Sequence, residues 1–177
     1  MAVARRERWQ FQRRGYPENA SLMPILKFYL FETPVRGISR RGRDFNELGW
    51  NGTAFNTLKA QMLRSSDLTN TRWQRVDSKN DLEDLLREVQ LSDSLSFQHE
   101  CAYYVKGNRC KIEGLFYLIR NAFAHGSFYR QAVNSVPYYI FETRREGNLR
   151  GRAILKEKTL RNWKSIVLHP EKYLHNP

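Results

Sequence analysis

The chain has 177 residues, 41% of them hydrophobic and 13% aromatic, which suits one domain with a real core and excludes a disordered tail. Thirty Lys and Arg against 18 Asp and Glu give a formal charge of +12 and a pI of about 10.0. Such a surface repels cations and attracts polyanions, nucleic acid first among them.

The first stretch, MAVARRERWQFQRRG, carries Arg5, Arg6, Arg8, Arg13 and Arg14 without an apolar run behind them. It predicts a basic arm over residues 1–18 and no secretory signal. Residues 19–177 then form a single domain. Ser21 predicts the cap of a helix reaching Leu30 or Phe31, with Pro24 tolerated in its first turn. This apolar stretch is too short to span a bilayer and contains Lys27, so no membrane partner is expected. TPVRGISRRGRDFNELGWNG predicts an exposed basic loop, in which Arg36, Arg40, Arg41 and Arg43 are candidate RNA-phosphate contacts. Thr53 predicts the cap of a helix over AFNTLKAQMLR, and a polar connector containing Trp73 follows.

In NDLEDLLREVQL, Leu82, Leu85, Leu86 and Val89 repeat at helical spacing behind an acidic first turn. Ser92 or Ser94 predicts the start of another helix, ending near Val105 before Gly107-Asn108. The two cysteines, Cys101 and Cys110, lack a CxxC pair or a Cys/His cluster. They suit reduced thiols in a cytoplasmic protein, with no metal site and no cofactor. A helix is predicted from Cys110 to His125. VPYYIFET and LRGRAIL flank a Gly-Asn turn and predict a β-hairpin, and EKTLRNWKSIVL predicts a short terminal helix with Leu160, Trp163, Ile166 and Val167 on one stripe.

The helix ending in RNAFAHG carries the chemistry. At about 100° per residue, Ile112, Leu115, Phe116, Ile119 and Phe123 form the core stripe. Gly114, Leu118, Asn121 and His125 form a second stripe roughly opposite, with Arg120 on a flank. A helix apolar on one side and small or polar on the other suggests cover on both sides. A second copy meeting at Gly114, Leu118 and Asn121 is the natural cover. Asn121 and His125 are one turn apart, so the amide can orient the imidazole. Arg120 supplies a fixed positive fork for phosphate. Beside an RNA 2′-hydroxyl, a His and an Arg suffice in outline for cleavage without metal. Tyr129 and Arg130, just beyond, are candidate nucleotide contacts.

The RNAFAH set, the YYIFETRREGNLRGRAIL hairpin and EKTLRNW together resemble a small plasmid-associated branch of the HEPN superfamily, over about residues 110–165. The resemblance implies a mainly α, HEPN-like helical bundle with a β-hairpin after the motif helix and a short C-terminal helix. It implies a homodimer that acts as a metal-independent endoribonuclease of toxin–antitoxin or antiviral systems. Arg120, Asn121 and His125 would be its catalytic residues, and a separate antitoxin or regulatory protein its partner. The alternative is a noncatalytic RNA-binding or assembly module with the same fold.

Overall fold

The computed structural model describes residues 22–38, 42–89 and 99–174. Its centre is the expected hairpin. Strands β4 (Val136–Arg145) and β5 (Asn148–Lys156) meet at Glu146-Gly147, both at positive φ, as a tight two-residue hairpin turn requires. Three further strands extend the hairpin into a sheet ordered β1-β2-β5-β4-β3. They are β1 (Trp73–Val76), β2 (Cys101–Val105) and β3 (Phe128–Val133). β1 and β2 run parallel, and every other pair is antiparallel.

This sheet overturns the expectation of a mainly α bundle. The connector around Trp73 is a strand, and Cys101–Val105 pairs as a strand where a helix end was expected. Cys101, Ala102, Tyr103 and Tyr104 are all buried, because β2 is covered on both faces. A run buried on both faces shows no alternation, so its period cannot separate strand from helix. The stretch 90–98, the arm 1–18, Ser21, Arg40 and Arg41 lie outside the described residues.

Helices pack on both faces of the sheet. One face receives α1 (Met23–Lys27, continuing into a π-helical turn at Phe28–Glu32), α2 (Ala54–Arg64), α4 (Lys111–Ala124) and α5 (Glu157–Leu168). Tyr139, Phe141, Ala153 and Leu155 supply the sheet side of this larger core. Its three tryptophans are fully buried with every indole N–H donated: Trp50 to the Val167 carbonyl at 2.9 Å, Trp163 to that of Met62 at 3.0 Å, and Trp73 to the Tyr104 hydroxyl at 3.1 Å. The opposite face receives α3 (Lys79–Glu88), closed by a reciprocal Ser78–Asp81 capping box. Its Leu82 and Leu86 meet Tyr103, Tyr138, Ile140 and Ile154. A final turn, α6 (Glu171–Leu174), follows α5.

Two buried carboxylates tie elements together. Glu100 accepts from the backbone N–H of Asp67 at 2.6 Å and of Lys156 at 2.7 Å, joining the turn after α2 to the end of β5. Burial raises its pKa against the lowering effect of these bonds. Glu157, at the start of α5, takes Arg130 of β3 at 3.2 Å and Arg161 at 3.1 Å. Burial alone would raise the Glu157 pKa, but the two guanidiniums hold it below the usual carboxylate value.

Helix α4 and strand β5 approach each other closely. A Cβ at Gly151 would collide with Cδ1 of Leu118 and would lie 2.8 Å from Cβ of Tyr104. Gly151→Ala should therefore cost about 1–3 kcal/mol by overpacking. Leu118→Val in the same chain should recover part of the loss, a coupling of at least about 0.5 kcal/mol in a double-mutant cycle of urea melts. Strict additivity would place the strain elsewhere. Glu157→Gln should cost about 1 kcal/mol at neutral pH, the outer ends of both arginines being screened by water. Because the folded-state pKa of Glu157 is lowered, its contribution is present above the unfolded-state carboxylate pKa. Wild type and variant should thus converge as pH falls through the folded value, when melting temperatures are compared across an acid series.

Candidate functional site: a basic cleft beside α4

The cleft is a product of how α4 begins, crosses the sheet and ends. Cys110 caps its start, with Sγ accepting from the Glu113 N–H at 3.5 Å. The core stripe Ile112, Leu115, Phe116, Ile119 and Phe123 is buried as expected. At the far end, Gly126 adopts φ +64°. Its N–H bonds to the Phe123 carbonyl at 3.2 Å, and the Ser127 N–H bonds to that of Ala122 at 2.8 Å. This Schellman pattern stops the helix at His125 and turns the chain into β3.

The second stripe has two fates. Gly114 lies against Tyr104, and Leu118 is only 3% exposed, packed over Gly151. The chain's own β2 and β5 lie against Gly114 and Leu118, two of the three residues expected at a dimer interface. Asn121 and His125, further along, line an open cleft of about 350 Å³. Its other wall comes from the end of β2, the loop that follows, and the ends of the hairpin.

Fifteen residues line this cleft; six are Lys or Arg and none is Asp or Glu. The cations are Arg75, Lys106, Arg109, Arg144, Arg145 and Arg150. Arg150 arrives through an irregularity in the ladder. Thr143 pairs with Gly151 but Arg144 pairs with Leu149, so Arg150 is an extra residue on β5. Such a bulge re-aims a side chain. Arg144 is held from beneath: its Nε donates to Glu142 Oε1 at 2.6 Å, while the other carboxylate oxygen takes Arg152 Nη2 at 2.7 Å. Glu142 and Arg152 are both almost fully buried, so the acid that anchors this cation is hidden from the cleft. Lys106 pairs with Asp77, and Arg145 lies 3.6 Å from Glu146. Among the described residues, Arg75, Arg109 and Arg150 have no carboxylate partner.

Crowded positive charge is also felt at the foot of α4. The Lys111 ammonium donates to the Trp73 carbonyl and lies 5.1 Å from the Trp73 ring centre. Burial first, then Lys59 and Arg75, bring its pKa down to about 8.

Arg120 does not line the cleft. Its Nη1 donates to Asn121 Oδ1 at 3.1 Å, and its Nε is buried without a partner. A guanidinium only donates, so it fixes which end of the Asn121 amide is oxygen. The amide NH₂ is thereby directed away from Arg120. Of the expected trio, Asn121 and His125 line the cleft, and Arg120 is bonded to Asn121.

The other expected RNA contacts lie elsewhere. Arg36 and Arg43 are exposed but do not line the cleft. Tyr129 is 37% exposed on edge strand β3, and Arg130 is paired with Glu157. Sequence reasoning missed Arg75, Lys106, Arg109, Tyr117, Arg144, Arg145 and Arg150. The signal available was the density of arginine around the hairpin turn, RREGNLRGR, which served only to place the turn. Among the described residues no three His, Cys, Asp or Glu side chains form a cation-binding group, and no helix is long and apolar enough to cross a membrane. Comparison with protein-family models, with curated proteins and with solved structures finds no match.

Proposed function

We propose that this protein binds RNA in the basic cleft and cleaves it as a metal-independent endoribonuclease, with His125 as the proton-transferring group. The observation that carries the reading is a cleft lined by six Lys and Arg and no carboxylate, with His125 and Asn121 on its helical wall. Cations with no acid among them in the lining favour a polyanion, and an imidazole at the rim adds a group able to accept and return a proton.

In the proposed reaction a 2′-oxygen attacks the adjacent phosphorus and His125 accepts its proton. The bond to the 5′-oxygen breaks, and that oxygen takes a proton from solvent. The products are a 2′,3′-cyclic phosphate and a 5′-hydroxyl. The Asn121 amide NH₂ and the guanidiniums of Arg145 and Arg150 would stabilise charge on the phosphorane. Arg120 has a positioning part, orienting Asn121. The phosphate-binding cations all come from one chain, so this reading needs no second copy. The Arg-Asn-x-x-x-His resemblance supports the chemistry at His125 and, as cellular setting, a toxin or antiviral role with a separate regulator.

A noncatalytic RNA-binding module is the second reading. The observation favouring it is that Arg120 turns to Asn121 and away from the cleft. The two separate on total RNA incubated in EDTA. Cleavage should persist, leave cyclic or 3′-phosphate ends, and fall at least about 100-fold in His125→Ala, with the circular dichroism melt unchanged. Intact RNA with undiminished binding would establish the noncatalytic reading. For the cleft itself, Arg145→Gln with Arg150→Gln should flatten the log–log salt dependence of RNA binding by about 0.7 for each phosphate no longer neutralised. An unaltered slope would remove the cleft from RNA binding.

A further inference from the structure

We propose that the cleft takes a single-stranded segment of RNA, with one nucleobase stacked on the guanidinium of Arg109. The inference rests on the RNA-binding reading above and deepens it by naming the strand type and the platform.

Arg109 Cζ lies 4.2 Å from the ring centre of Tyr117, and both residues line the cleft. Tyr117 is half-buried on α4, so the ring is fixed by the helix. The Arg109 backbone is fixed as well, its carbonyl accepting from Arg75 Nη1 at 2.9 Å. A guanidinium is planar, delocalised and weakly hydrated, and this one already lies over an aromatic ring. Among the described residues no carboxylate draws it out of that plane. Its outer face is a preorganised surface for a flat π-system. Bases stack on aromatic rings and on Arg planes alike when they are unstacked from their neighbours.

The spacing along α4 joins this platform to the proposed chemistry. Tyr117, Asn121 and His125 are successive at four residues, so Tyr117 and His125 lie about 12 Å apart along the axis. A short run of flexible strand covers that distance, base at one end and scissile phosphate at the other. Duplex RNA cannot do so. Its bases are stacked inward on one another, and it offers proteins mainly phosphates and 2′-hydroxyls. The cleft volume of about 350 Å³ points the same way, being near the lower end of small-ligand pockets and too small for a helix. A plane that recognises π-faces does not read base edges, so binding should be tolerant of sequence.

The test uses the full chain and short 2′-O-methyl oligoribonucleotides, which resist 2′-hydroxyl attack, carrying one 2-aminopurine. The single strand should bind at least about tenfold more tightly than the matching duplex, and binding should quench the 2-aminopurine. Tyr117→Ala should lower single-strand affinity by about tenfold or more and abolish the quench, with duplex affinity almost unchanged. Tyr117→Phe should retain both. Arg109→Gln, altering a side chain outside the core, should also lose the quench, so the result does not depend on one helix variant folding. Equal affinity for duplex and single strand, or a quench that survives Tyr117→Ala and Arg109→Gln, overturns the proposal. If salt-dependent binding then still responds to Arg145→Gln and Arg150→Gln, the RNA-binding reading stands without the stack. Failure to bind either oligonucleotide overturns both.

Discussion

The packing of Leu118 on Gly151 is the contact on which the rest of the architecture depends. It lets a fourteen-residue helix lie almost directly on the backbone of a central strand. The aromatic layer of the core then forms on one side of that crossing, where Phe123 packs edge-on to Phe141 at 5.0 Å. The cleft lies along the same helix, lined by Gly114, Leu118, Asn121 and His125. Core and cleft are consequently two results of one close approach. A bulkier residue at position 151 would lift the helix, loosening the first and reshaping the second.

Charge is arranged on the same plan. Acids that face inward anchor the cleft's cations or the strands beneath them, as Glu142 does for Arg144 and Glu100 for the end of β5. Acids that would compete for phosphate are absent from the cleft's lining. Asp77, Glu142 and Glu146 each pair with one of its cations and leave Arg75, Arg109 and Arg150 without a carboxylate partner among the described residues. Net charge alone would suit any basic protein. What distinguishes this one is a cluster of cations with no acid in its lining, one of them anchored by a buried carboxylate.

The sequence was most legible where structure is set locally. The helix over 54–64 runs from Ala54 to Arg64, and EKTLRNWKSIVL spans α5 from end to end. The His-Gly end of α4 and the hairpin turn were visible because each depends on a few adjacent residues with particular backbone angles. Strands β1 and β2 were not, since their parallel pairing joins residues almost thirty positions apart and neither alternates cleanly. The site divided in the same way. Asn121 and His125 lie on one helix, and their shared stripe follows from its pitch. Arg109 over Tyr117 and Arg150 in the same cleft as His125 depend on a loop and a bulge that only the assembled sheet brings to that helix. The turn of Arg120 to Asn121 was not legible for a related reason. Helical spacing fixes the direction in which a side chain leaves the backbone, but not the neighbour to which a long one turns.

The extra residue on β5 makes the cleft depend on counting as well as on chemistry. In a regular strand, successive side chains alternate between faces, and Arg150 would point towards α3. The bulge breaks the alternation once, so Leu149 sits in the smaller core while Gly151, Ala153 and Leu155 lie on the side of the larger one. A one-residue deletion between Asn148 and Gly151 would close the ladder into an even register. The hairpin and both cores could persist, while a cation left the cleft. The number of residues in this strand, more than their composition, is what sets the charge presented beside α4.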